Sequence, residues 1–195
     1  MIKILSHRLK HCNALADSMS NASPTQLQQL KTQLAEQMGN PVGLHTMGIP
    51  AAISTLGVIV SFAIPQLWLG YGVLAALGQP VERVFVWVVL VALLFAGING
   101  VTMFMIGKGS MRAVRIHLAL AVISLVLTAI YLLAALSGSP FPGVSLTAAL
   151  VSIVMLLLSG SAILSTVFYK MLLFTLHNRA WRKLIRQTRD AHMPR

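Results

Sequence analysis

The stretch Val84–His117, VFVWVVLVALLFAGINGVTMFMIGKGSMRAVRIH, decides the fold. From Val84 to Gly107 it carries no charged residue, and roughly 20 consecutive apolar residues are enough to cross a bilayer. It then turns basic at Lys108, Arg112 and Arg115 before a second apolar run begins. A span, a short basic connection and another span is the pattern of a helical membrane protein. Composition extends this to the whole chain of 195 residues, which is 56% hydrophobic and only 10% charged, with a mean hydropathy of +0.79. Soluble domains carry about 25% charged residues.

Reading outward from this stretch, four spans are expected, at 49–69, 84–106, 116–136 and 144–169. Together they make a membrane domain over 48–169 and an all-α fold, a four-transmembrane-helix bundle. Pro65 lies inside the first span, where it frees the carbonyl of Ser61 and kinks the helix. The apolar run Gly72–Leu77 reads either as an extension of that helix or as an interfacial segment. Ser137 to Gly143 reads as a tight turn, rich in Gly, Ser and Pro.

Residues 1–47 are polar and read as a cytoplasmic helical hairpin. Ile2, Leu5, Leu9, Cys12, Ala16 and Met19 recur at helical spacing. Ser23, Pro24 and Gln26 form an N-cap, a first helical residue and a capping box. Leu27, Leu30, Leu34 and Met38 make the second stripe, with Gly39 and Pro41 ending it. Residues 170–195 read as a basic cytoplasmic helix and tail.

The formal net charge of +11 would suggest nucleic acid in a soluble protein. Here its distribution argues otherwise. Fourteen of the fifteen Lys and Arg residues fall in the N-terminal arm, the 108–115 connection or the C-terminal segment, and Arg83 is the exception. These regions share one side of a four-span layout, so both termini are expected in the cytoplasm. The compact layout suits a bacterial inner membrane, with the lipid bilayer and its anionic headgroups as partners and no nucleic acid.

The polar residues of the spans are candidates for helix packing or for lining a pore. Ala96, Asn99 and Gly100 share a face with Ala92, Met103 and Gly107. Ser152, Ser159 and Thr166 share a stripe with Ser145, Ala148, Met155, Ala162 and Tyr169. His117, Ala121, Ser124, Thr128 and Tyr131 form another, and Ser54, Gly57 and Ser61 a third. Small residues allow close helix approach, and hydroxyl or amide bonds across it are worth about 1 kcal/mol each. On the last helix, Leu173, Leu176, Ala180 and Leu184 lie on one side. Arg179, Arg182, Lys183, Arg186 and Arg189 are candidates to bind a partner or anionic lipid.

Catalytic chemistry is absent from the pattern. Asp17, Glu36, Glu82 and Asp190 are the only acidic residues and they are scattered, so no pair serves acid and base roles in a span. No central ionisable group of the kind that drives coupled transport is present. His7 and His11 with Cys12 make a weak metal signal, so no metal or cofactor is expected. The expected function is a non-catalytic interaction protein, either an accessory or sensing subunit of a membrane complex or an immunity-type protein. The alternative is a homo-oligomeric channel or passive pore.

Overall fold

The computed structural model describes residues 2–39, 43, 45–138 and 143–192. Pro41, the turn residues Ser139 to Pro142 and Arg195 lie outside the described residues. Among those described there are seven α-helices and no strand. In chain order these are α1 (Ile2–Ser18), α2 (Pro24–Met38), α3 (Ile49–Ala76), α4 (Val84–Gly107), α5 (Met111–Leu136), α6 (Leu146–Leu164) and α7 (Thr166–His192). Four of them, α3 to α6, are long and apolar enough to cross a membrane. The chain divides into two compact units, described separately below.

The apolar unit comprises Ile53–Met103 and Arg115–Ser161. Its surface is the inverse of a soluble protein's. Phe85, Leu90, Leu93, Leu94 and Val101 on α4 are all more than half exposed, whereas Ser54, Ser61, Asn99, Ser124 and Ser152 are fully buried. Apolar side chains outside and hydroxyls inside suit a hydrocarbon surround, where polar groups must find partners within the protein. Phe62 of α3 stacks on Phe95 of α4, with ring centroids 3.8 Å apart, and Val58 and Leu120 complete this cluster. Helix α3 continues unbroken through Pro65 to Ala76, so the Gly72–Ala76 stretch is helix.

The amphipathic unit comprises Met1–Ala52, Phe104–Val114 and Ala162–Arg195. Helix α2 begins as its sequence dictates: the Ser23 hydroxyl accepts from the Gln26 amide, the Gln26 side chain accepts from the Ser23 amide, and Pro24 occupies the first turn. Its C-cap is Gly39, at φ 73°. The stripe Leu27, Leu34 and Met38 is buried, and α2 packs along α7. Cys12 and Ala16 of α1, and Met19 just past its end, are buried too. The apolar side of α7 is thereby occupied by protein, with Leu173, Leu176 and Ala180 almost wholly enclosed.

Two boundaries differ from the sequence reading. The last apolar helix ends at Leu164 rather than at residue 169. The Ser165 hydroxyl donates to Ala162 O at 2.7 Å and accepts from the Phe168 amide at 3.0 Å, so one residue closes α6 and caps α7. Arg8 of α1 donates to the carbonyls of Leu164 and Ser165 there, at 3.0 and 3.3 Å, which places a cation at a helix C-terminus. The basic connection is also shorter than expected. Helix α5 begins at Met111, so Arg112 and Arg115 are helical. Gly109, at φ 80°, carries the turn: its amide bonds Ile106 O and the Ser110 amide bonds Met105 O, a Schellman closure of α4. A Cβ at Gly109 would also lie 2.8 Å from Thr175 O of α7.

Burial protects Cys12. Desolvation pushes its thiol from the ordinary 9.0 up to about 12, so the thiolate that reacts with electrophiles is scarce at neutral pH. Modification by N-ethylmaleimide at pH 8 is expected to be roughly a thousandfold slower in the native protein than in the unfolded chain, the ratio that three pKa units set. The same shift fixes a sign for stability. Protonated Cys12 favours the fold fully below pH 9.0. That contribution falls away as pH rises toward 12, because the unfolded chain ionises first. Native alkylation as fast as unfolded would show Cys12 to be accessible.

Candidate functional site

Two groups of polar side chains stand out, one in each unit. In the apolar unit the stripes on α3, α5 and α6 meet face to face. Ser54 Oγ of α3 lies 2.7 Å from His117 Nε2 of α5 and 3.0 Å from Ser159 Oγ of α6. Along the same three helices, Thr128 Oγ1 lies 2.8 Å from Ser152 Oγ. Ser124 donates to Val58 O at 3.4 Å. Beyond these, Tyr131 donates to Gly143 O and accepts from the Ser145 amide.

Pro65 explains why hydroxyls gather where they do. Lacking an N–H, it cannot bond the carbonyl four residues back, which is that of Ser61. Ser152 donates to Ser61 O at 2.9 Å and Thr128 reaches it at 3.4 Å. The helix defect in α3 is therefore filled by hydroxyls from α5 and α6. The backbones of α3 and α6 approach closely one turn from Ser54: a Cβ on Gly57 would stand 2.5 Å from Met155 O and 2.8 Å from Ser159 Cβ.

Asn99 is fully buried but stands apart from this seam. Its amide nitrogen donates to Phe95 O of its own helix at 2.9 Å, and its Oδ1 has no partner. Of the small residues on its sequence face, Ala96, Gly100 and Gly107 are exposed. Around Asn99 the buried face of α4 is a narrow stripe of Phe95, Thr102 and Ile106, and most of its other large side chains face outward. Replacing Asn99 by Leu removes a buried acceptor whose desolvation costs about 1–3 kcal/mol. Thermal unfolding in detergent is expected to shift upward by about 2–4 °C for each kcal/mol recovered. A fall of that size would mean that Oδ1 is bonded in the native assembly.

Thr166, expected on the α6 stripe, opens α7 and is exposed, whereas Ser152 and Ser159 lie in the seam. A Ser–His pair at 2.7 Å invites comparison with a nucleophile and its base. A general base of that kind is oriented by a third polar group, and the chain has no acidic residue between Glu82 and Asp190. Ser54, His117 and Ser159 are all 1% exposed or less. The arrangement ties three helices together.

In the amphipathic unit, α7 presents its cations to the ends of other helices. Arg179 Nη1 donates to Gly109 O at 3.1 Å and Arg182 Nη2 to Lys108 O at 3.0 Å, just past the end of α4. Lys183 Nζ donates to the carbonyls of Met19 and Ser20, at 2.6 and 2.5 Å, just past the end of α1. Gln187 donates to Ala22 O at 3.3 Å. These contacts border an open recess of about 610 Å³, to which Lys108 and Arg186 also contribute. Arg189 lies outside it and is exposed. Sequence reading picked out the α7 cations but not Lys108, which comes from more than 70 residues earlier.

His11 Nδ1 lies 3.1 Å from the Tyr169 hydroxyl, and Arg8 sits over the same ring, 5.4 Å from its centroid. Burial pushes the Tyr169 phenol up, Cys12 adding to the shift and Arg8 opposing it. Among the described residues, no three His, Cys, Asp or Glu side chains cluster to hold a metal.

The class these features define is an all-helical protein with four membrane-competent helices, a buried hydroxyl seam and a basic recess. No protein-family model matches the chain, and neither a curated protein nor a solved structure matches it.

Proposed function

We propose that this chain is a non-catalytic multi-pass protein of a bacterial inner membrane, in which α3 to α6 form a transmembrane four-helix bundle. The amphipathic unit lies on the cytoplasmic side with both termini. It acts as an accessory or sensing subunit of a membrane complex, or as an immunity-type protein, and engages its partner through that unit. One observation carries this reading. The seam hydroxyls are paired with one another and with backbone carbonyls inside the fold, while the cations converge on one side of α7. The segregation of Lys and Arg supports the orientation. A pore lined by Ser152 and Ser159 would need these side chains open to water, so their pairing favours interaction over conduction.

The test is the mass and composition of the particle extracted in mild detergent. A second polypeptide in fixed ratio is the expected result, lost on charge reversal at Arg186 and Arg189. A pure homo-oligomer would shift the reading to a channel, with Asn99 and Ser152 as the residues to probe by conductance. A bare monomer would overturn both.

A further inference from the structure

We propose that the recess beside α7 is a binding site for an anion carrying two phosphate groups. Five cations border it, Lys108, Arg179, Arg182, Lys183 and Arg186, and none of its lining residues is acidic. Like charges held together repel, and here the compensation is partial. Two helix C-termini, those of α1 and α4, supply about half a negative charge each. Five positive charges against roughly one negative leave a strong excess that an anion would neutralise.

The geometry points to two phosphates rather than one. Positions 179, 182, 183 and 186 advance by three, one and three residues, so they fall along one face of α7. From Arg179 to Arg186 the helix rises about 10 Å, further than a single phosphate reaches. Three of the five cations, Arg179, Arg182 and Lys183, are also held in place before any ligand arrives. Each guanidinium bond to Gly109 O or Lys108 O uses one of five N–H donors, and Lys183 uses two of three. Side chains fixed in this way lose little freedom on binding. The volume, about 610 Å³, is that of a small-molecule site.

A diphosphate reaches such a site either from solution or as the headgroup of a lipid that carries two phosphates. The proposal does not depend on a protein partner, so its test and that of the partner reading fail separately. Full-length protein in phosphatidylcholine nanodiscs is titrated with inorganic pyrophosphate and with orthophosphate. In parallel, nanodiscs containing cardiolipin, whose headgroup has two phosphates, are compared with nanodiscs containing phosphatidylglycerol, which has one, by lipid retention in native mass spectrometry.

Saturable pyrophosphate binding about tenfold or more tighter than orthophosphate supports a soluble ligand. Selective retention of cardiolipin without pyrophosphate binding supports a lipid headgroup. In either case Lys108→Gln with Arg186→Gln is expected to weaken binding about tenfold or more. Neither side chain is used above to cap a helix, so the fold survives, as an unchanged thermal transition would verify. Arg189→Gln, outside the recess, leaves binding within about twofold. Binding of neither diphosphate, equal binding of mono- and diphosphates, or equal losses in the double variant and Arg189→Gln would overturn the proposal.

Discussion

Replacement of Gly57 by leucine is expected to abolish the native packing of α3 against α6. The obstacle to a side chain at this position is not a mobile tip. It is the backbone carbonyl of Met155, 2.5 Å from where the first carbon would stand, with Ser159 Cβ at 2.8 Å. Neither moves without displacing helix α6. Displacement also breaks the Ser54–Ser159 bond, one turn along α3. Overpacking of a core costs about 1–3 kcal/mol where side chains can give way, and a backbone obstacle puts this case at or above the upper end. For a chain of this size about 3 kcal/mol corresponds to a melting temperature lower by roughly 6–12 °C. Thermal unfolding in detergent, followed by size-exclusion chromatography, measures it. A melting temperature within 2 °C of the parent, by contrast, would show that the two helices do not meet at Gly57 (thresholds of about this size follow from the same scaling).

Leu34→Asp is expected to separate α2 from α7. Leu34 is fully enclosed on the face that packs along α7, where Leu173 and Leu176 are equally buried. Loss of a buried leucine alone costs about 2–5 kcal/mol. A carboxylate in its place adds the penalty of an unpaired charge in an apolar contact. Together these exceed the free energy that holds a single helix pair. Limited trypsin digestion at Lys31 is expected to accelerate by about a hundredfold or more, since each 1.4 kcal/mol is a factor of ten. Gln33→Asp, on the exposed side of the same helix, is the control and leaves the rate unchanged. If both variants were cut at the parent rate, α2 would not owe its place to α7.

The course of the chain was legible in places where the physics is local. The α2 cap was readable because Ser23, Pro24 and Gln26 act on their own neighbours. The four apolar helices were readable because length and lack of charge suffice. Pro65 was readable as a freed Ser61 carbonyl, but the identity of the groups that satisfy it was not, because Thr128 and Ser152 come from other helices. The Ser165 break was missed since a lone serine in an apolar run carries no break signal of its own. Its role depends on two backbone groups and on Arg8, which is over 150 residues away. Asn99 shows the same limit from the other direction. Its small neighbours suggested a packing face, yet Ala96 and Gly100 are exposed while Phe95, Thr102 and Ile106 are buried. Lys108 joins the α7 cations for a reason no spacing rule carries, the Schellman turn at Gly109 that sets it beside α7.

Because α7 supplies the wall against which α1 and α2 bury their stripes, those first helices are made long before their partner. At ribosomal rates of about 5–20 residues per second, on the order of ten seconds separates the synthesis of Leu34 from that of Leu173. Throughout that interval Cys12, Leu27 and Leu34 lack their final neighbours, and so does Arg8, whose acceptors at Leu164 and Ser165 are not yet made. Completion of the amphipathic unit therefore reports that every intervening apolar helix has been synthesised. A chain stalled or cut before Thr166 would keep its early helices sticky, and would be marked out for holding by chaperones or for destruction by quality-control proteases.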